Sequence, residues 1–245
     1  MRMLFFVLVF VPAFASAFFP DGDIATFQRQ AMVMPVGERI AFWAEKFIGT
    51  PYDTDPLGEY VRREVIVADE RVDCMYLTFR AVELAMSRDP DDAREVALSM
   101  RFMHLGKVEH GKVMNYDDRF QYGEDMLESG KWGKEVTSEL GKISTITTPA
   151  GKPVLFVPAG AVAKGNDLFR SGDIVFFVNT PARIAEGITI GHIGILKREK
   201  DGVYLIHASG TKGGGGEVKE VSFPDYLQTM PFAGIRVSRF GADEQ

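Results

Sequence analysis

Cys74, within Arg71 to Ala85, is the only cysteine among 245 residues, and it stands directly after an acidic residue at the start of an apolar run. A lone thiol cannot close an intramolecular disulfide, so it is an inert buried side chain, an intermolecular link or a nucleophile. Asp73 is a good N-cap residue, and a helix that starts there holds Cys74 in its first turn. Free backbone N–H groups and the positive end of the helix dipole then favour the thiolate and bring its pKa from about 8.5 towards neutral. The Cys74 N–H also becomes a donor for a developing oxyanion.

A thiol nucleophile needs a base, and the chain has four histidines. His192 lies in "GHIGIL" and His207 in "YLIHAS", two strand-like runs joined by a turn at Lys200-Asp201-Gly202. Paired as a hairpin, these strands bring the two rings to nearby rungs, about 5 Å apart if opposite and more if diagonal. One imidazole then acts as base while the other fixes its tautomer and orientation by a hydrogen bond. His104, at a helix end, and His110, in a Gly-flanked polar stretch, read as surface residues. A Cys-His-His zinc site is a rival by ligand type, but no close-spaced ligand pair anchors it, so neither a metal nor a cofactor is expected.

The elements that must carry these groups follow from periodicity. Ile40, Trp43, Ala44 and Phe47 fall at helical spacing within Val36 to Ile48, and Gly49-Thr50-Pro51 stops that helix. The helix after Asp73 is apolar almost all round, with Met75, Phe79, Val82 and Met86 on one face, and so belongs inside a domain. Asp89-Pro90-Asp91 ends it and caps another helix that runs to about Met103. The second half changes to short β-branched and aromatic runs, Val154 to Val157, Asp173 to Asn179, Ile193 to Lys197, Val203 to Ala208 and Gly234 to Val237, the pattern of an antiparallel sheet. Helices first and strands later predict an α+β domain. The Gly213 to Gly216 run lacks the Gly-Lys-Ser/Thr ending of a phosphate loop and reads as a flexible loop.

Met1-Arg2-Met3, an apolar stretch from Leu4 to Phe14 and Ala15-Ser16-Ala17 have the layout of a signal peptide over residues 1–17. Its apolar centre is far short of the roughly 20 residues of a spanning helix, so a periplasmic or secreted protein with no stable membrane anchor is expected after cleavage. Residues 18–245 then form a single domain. The formal net charge is −6, and no window gathers Lys and Arg into a stripe, which argues against nucleic acid as a partner.

Five motifs in order, "IGTPY" (48–52), "VDC" (72–74), "SGDIVFF" (171–177), "GHIGIL" (191–196) and "LIHAS" (205–209), resemble the signatures of NlpC-type papain-like cysteine peptidases. "RVDC", "DRFQYGEDM" (118–126) and "GIRVSRF" (234–240) resemble more closely the branch called N-acetylmuramoyl-L-alanine amidase-like. The resemblance implies a papain-like core in which the cysteine helix packs on an antiparallel sheet. It also implies Cys74 as nucleophile, His192 as general base, His207 as the orienting third residue and Tyr52 over the cysteine, binding substrate or oxyanion. The branch carries Ser or Thr where this chain has Tyr76, so Tyr76 is expected to narrow or reshape the acyl pocket.

The expected activity is exported cysteine hydrolysis of an amide bond in peptidoglycan or its peptide fragments, as muramoyl-L-alanine amidase or stem-peptide endopeptidase, through a thioester acyl-enzyme. Two rivals are an acyltransferase or lipid-acting thiol enzyme on the same fold, and a non-catalytic cell-wall-binding module. The second is disfavoured because all three catalytic positions hold competent residues.

Overall fold

Among the described residues the longer helices lie in the first half of the chain and the strands of the main sheet in the second, as the change in periodicity implies. The computed structural model describes residues 19–162 and 168–241, so the signal-peptide segment lies outside the described residues. In chain order the elements are α1 (Asp21–Ala31), α2 (Val36–Lys46), α3 (Glu59–Arg62), α4 (Cys74–Met86), α5 (Pro90–Met100), β1 (Val108–Glu109), β2 (Lys112–Val113), α6 (Gly123–Ser129), β3 (Lys134–Glu135), β4 (Ser144–Thr147), β5 (Pro153–Pro158), β6 (Ile174–Val178), α7 (Pro181–Ala185), β7 (Ile190–Arg198), β8 (Val203–Thr211), β9 (Gly215–Ser222), α8 (Phe223–Thr229) and β10 (Gly234–Arg239). Strands β4-β5-β10-β6-β7-β8-β9 form one antiparallel sheet, with β3 added beside β10. The protein is therefore α+β.

One face of the sheet, with Ile174, Phe176, Ile193, Ile195 and Ile206, packs on α2 and α4. Val175, Phe177, Leu196, Leu205 and Val237 cover the other face together with Phe223 of α8. Helix α4 lies in the first of these cores: every residue from Tyr76 to Ala85 is buried. Each large apolar side chain buried there contributes about 1.5–3 kcal/mol relative to exposure. Among the described residues no helix is long and apolar enough to cross a membrane.

Three expectations change. The helix after Asp89 ends at Met100, and Phe102 and Arg119 then form an isolated bridge that carries the chain towards Tyr122. The Gly213 to Gly216 run is the turn of the β8–β9 hairpin, not a free loop, and Gly215 and Gly216 open β9 as partners of Thr211 and Gly210. Glycine is needed at Gly210, where a Cβ would sit 2.4 Å from the Tyr52 ring. Finally, the near-uniform apolar pattern of α4 conceals two buried charges, Arg80 and Glu83.

Candidate active site

Asp73 caps α4 by accepting from Tyr76 N at 2.9 Å, which fixes Cys74 as the first helical residue. The preceding segment is tied to β9: Gly49 N donates to Val218 O at 2.9 Å and Tyr52 N to Gly216 O at 2.8 Å. Tyr52 is thereby laid across the hairpin beside the helix start. Cys74, Tyr52, Asp73, His192 and Lys212 line one cleft of about 370 Å³, together with Tyr60, Arg119 and Tyr122.

The histidines meet as a diagonal pair. The β7–β8 ladder runs from Arg198↔Val203 to Ile195↔Ile206, and its register continues to place Gly194 opposite His207. With no side chain there, His192 reaches across, and its Nε2 lies 2.8 Å from His207 Nδ1. A Cβ on Gly194 would lie 2.5 Å from Leu205 and 3.2 Å from the His207 Cβ. Phe177 stacks on His192 at 5.6 Å and 27°, Phe232 lies parallel at 6.3 Å, and Tyr226 packs edgewise on His207 at 5.0 Å. The two rings are thus held by packing as well as by their shared hydrogen bond. For His192 Nδ1 to be a free base, its Nε2 must carry the proton and donate it to His207 Nδ1.

Burial sets the resting protonation state. The half-buried Cys74 thiol is pushed from its ordinary 9.0 up to about 12, first by desolvation and then by the Asp73 carboxylate. The Ile193 and Met75 backbone N–H groups and Lys212 oppose that rise. Desolvation, with the neighbouring His207, drives His192 down to about 3; desolvation and Lys219 drive His207 down to about 4. The helix terminus thus does not by itself lower the thiol pKa, because the cost of burying the charge is larger. The resting pair is a neutral thiol and a neutral imidazole. Among the described residues no hydrogen bond joins Cys74 to His192, an arrangement that tightens in many enzymes only once substrate is bound.

Tyr52 is also raised well above its ordinary value, by burial and then by Cys74, Asp73 and Asp53, so its hydroxyl remains a donor. Tyr76 does not reach the cleft. It is 1% exposed, donates to Asp69 Oδ1 at 2.8 Å and accepts from Ala68 N at 2.6 Å. Its ring supports Tyr60, which does line the cleft, at 4.9 Å. The expected reshaping of the pocket by Tyr76 is therefore replaced by a core role, because α4 turns its third residue inward.

Sequence reasoning missed Lys212, which stands directly before the Gly213 to Gly216 run taken for a loop. Its Nζ donates to Asp73 Oδ2 at 2.9 Å and to Asp53 O at 3.2 Å. It also missed the aromatic support of Phe232 and Tyr226, from segments with no strong periodic pattern. His104 is exposed and meets Asp118 at 2.9 Å, and His110 is exposed at the β1–β2 turn. Among the described residues no three His, Cys, Asp or Glu side chains gather as metal ligands.

The fold has counterparts among solved structures. An N-acetylmuramoyl-L-alanine amidase from Bacteroides uniformis is similar over 84% of this chain and 99% of its own, with a TM-score of 0.65 and 20% identity. A Legionella pneumophila protein of the family DUF1460 is similar over 89% of this chain and 93% of its own, with a TM-score of 0.64 and 17% identity. The likeness is one of fold. No family model and no curated protein matches the chain.

Proposed function

We propose that this protein is a cysteine hydrolase that cleaves an amide bond of peptidoglycan, on a papain-like core, after export to the periplasm or cell exterior. The observation that carries the reading is the cleft itself: a thiol on the first turn of a capped helix shares it with an imidazole. That imidazole is held through its other nitrogen, 2.8 Å from a second histidine. The amidase from Bacteroides uniformis with the same fold supports peptidoglycan as the substrate class.

In the proposed reaction His192 Nδ1 takes the Cys74 proton as the sulfur attacks the amide carbonyl. The high thiol pKa and low imidazole pKa make a free thiolate–imidazolium pair costly at rest, so transfer is coupled to attack. The Cys74 N–H, which donates to no other group among the described residues, and the Tyr52 hydroxyl stabilise the oxyanion. His192 then protonates the leaving amine, a thioester remains on Cys74, and water deprotonated by His192 releases the acid. His207 stays a neutral orienting partner throughout.

Digestion of purified sacculi, followed by mass spectrometry of the soluble fragments, tests this. The wild-type protein is expected to release fragments with one new amine and one new carboxyl per cut, and these locate the bond. Identical products from wild type and Cys74→Ala would remove peptidoglycan hydrolysis from consideration.

A further inference from the structure

The motif "DRFQYGEDM" has no role in the chemistry above, yet five of its residues, Arg119 to Gly123, line the cleft. The cleft wall holds three charged side chains, Asp73, Arg119 and Lys212. Two of them satisfy each other across 2.9 Å, and Lys212 spends a further hydrogen bond on Asp53 O. Arg119 is different. It is half-buried, donates through Nη1 to Tyr116 O at 2.9 Å, and among the described residues meets no carboxylate within ion-pair distance. Arg80, Arg101, Arg236 and Arg239 each engage a carboxylate through two nitrogens.

The backbone of Arg119 is held in place. Met103 N donates to Asp118 O and Phe120 N to Arg101 O, both at 2.9 Å, and the Phe120 ring beside it is 1% exposed. A guanidinium on a fixed backbone with most of its donors unused, at the wall of the cleft that His192 also lines, is a fork suited to a planar anion. The second cation, Lys212, is already committed.

We propose that Arg119 is a carboxylate-binding, specificity-determining residue, so that the preferred substrate carries a free carboxylate near the scissile amide. This rests on the hydrolase reading above and narrows its substrate class. The carboxylate docks on Arg119 while the amide carbonyl lies at Cys74, and a carboxamide in its place leaves the guanidinium without its charged partner.

Two measurements separate this proposal from the hydrolase reading. In the first, two peptide amides that differ only in a free or amidated carboxyl beside the scissile bond are compared by kcat/KM. A charge-assisted pair of this kind corresponds to roughly 10- to 100-fold preference for the free acid. In Arg119→Gln that ratio falls close to one, and in Arg119→Lys it is intermediate.

The second measurement needs no turnover. The rate of Cys74 alkylation by iodoacetate is divided by that by iodoacetamide, and the ratio is referred to glutathione. The wild-type ratio is expected to exceed that of glutathione and to drop in Arg119→Gln. Equal hydrolysis of acid and amide, with a wild-type ratio like that of glutathione, overturns the carboxylate site and leaves the hydrolase standing. Absence of any hydrolysis removes the hydrolase reading, while a raised, Arg119-dependent alkylation ratio would still support the anion site.

Discussion

The two faces of α4 treat charge in opposite ways. On its buried side every charge is matched: Arg80 forks onto Asp69 at 2.8 and 2.9 Å, Glu83 binds Arg101 through both carboxylate oxygens, and Tyr76 donates to Asp69. All of these side chains are within 2% of full burial. In the cleft at its first turn, among the described residues, Cys74 has no hydrogen bond to His192, the Cys74 N–H donates to nothing, and Arg119 of the facing wall meets no carboxylate. A matched network rigidifies the helix, and a cleft in which only Asp73 and Lys212 are matched keeps other donors for a ligand. One part of the helix is built for position and the other serves the proposed chemistry, and each variant below asks whether the two can be separated.

The largest effect is expected from Cys74→Ala. Loss of a nucleophile costs about 10⁴-fold or more in turnover, measured as fragment release from sacculi. The matched network is untouched, so neutral-pH stability should change by only about 1 kcal/mol. At high pH the variant should differ in sign. The folded thiol titrates near 12 against an ordinary 9.0, so its contribution is full below 9 and lost as pH rises towards 12. Cys74→Ala lacks that alkaline loss, which chemical denaturation at pH 8 and pH 11 would show.

His207→Ala should follow, lowering kcat by about 10²- to 10⁴-fold, the range of a general-base contribution, because His192 loses the group that sets its tautomer. His207→Asn, which can still accept through its side-chain oxygen, should recover part of it. The acid limb of kcat/KM belongs below pH 5 rather than near 6.5, since both imidazoles stay neutral down to about 3 and 4. Both folded values lie below the ordinary 6.5, so the stability these rings contribute is present above 6.5 and is lost as pH falls through 4 and 3. A limb centred at 6.5 would mean that the base is solvated and not held as the structure has it.

Arg101→Met attacks the other side of the comparison. It leaves Glu83 without its bidentate partner at zero exposure, and breaking a buried pair in this way costs about 3–5 kcal/mol. The expected result is a large drop in the denaturation midpoint with little change in kcat for the fraction that remains folded. An equal fall in kcat per folded molecule would show that the network tunes the cleft as well as holding the helix.

The same contrast explains what could be read before the structure. That Cys74 and His192 share a cleft and that His192 pairs with His207 was legible because Asp73 marks a helix start and the two histidines stand on adjoining strands. The hairpin turn at Asp201-Gly202 also limited how far apart the rings could lie, though not that Gly194 would make the pair diagonal. The α+β order followed from a change in period. The network was not legible, since Asp69 and Arg101 lie in loops 11 and 21 residues from Arg80 with no spacing rule linking them. Tyr76 was misjudged for the same reason: its partner Asp69 could not be seen, so nothing said that its hydroxyl had a place in the core. Lys212 was hidden because a Gly-rich run looks alike in a free loop and in a tight hairpin turn.

The smallest and most discriminating effect concerns Asp73, which belongs to both regions. Its Oδ1 caps α4, a structural task, and its charge raises the thiol pKa, with Lys212 at 2.9 Å from Oδ2 as a counterweight. Asp73→Asn keeps a cap oxygen and removes the charge. Stability should therefore change by less than about 1 kcal/mol, while the pH at which Cys74 becomes alkylated moves down. Lys212→Met should move that pH up, because Asp73 then acts on the thiol without compensation. Asp73→Ala should cost the cap, about 1 kcal/mol, and shift the thiol in the same direction as Asn. If the Asn and Lys212→Met variants displaced the alkylation curve in the same direction, the electrostatic account of the cleft would fail while its geometry stood. Opposite displacements would show that a single residue holds the helix in place and, independently, holds the thiol in its protonated form.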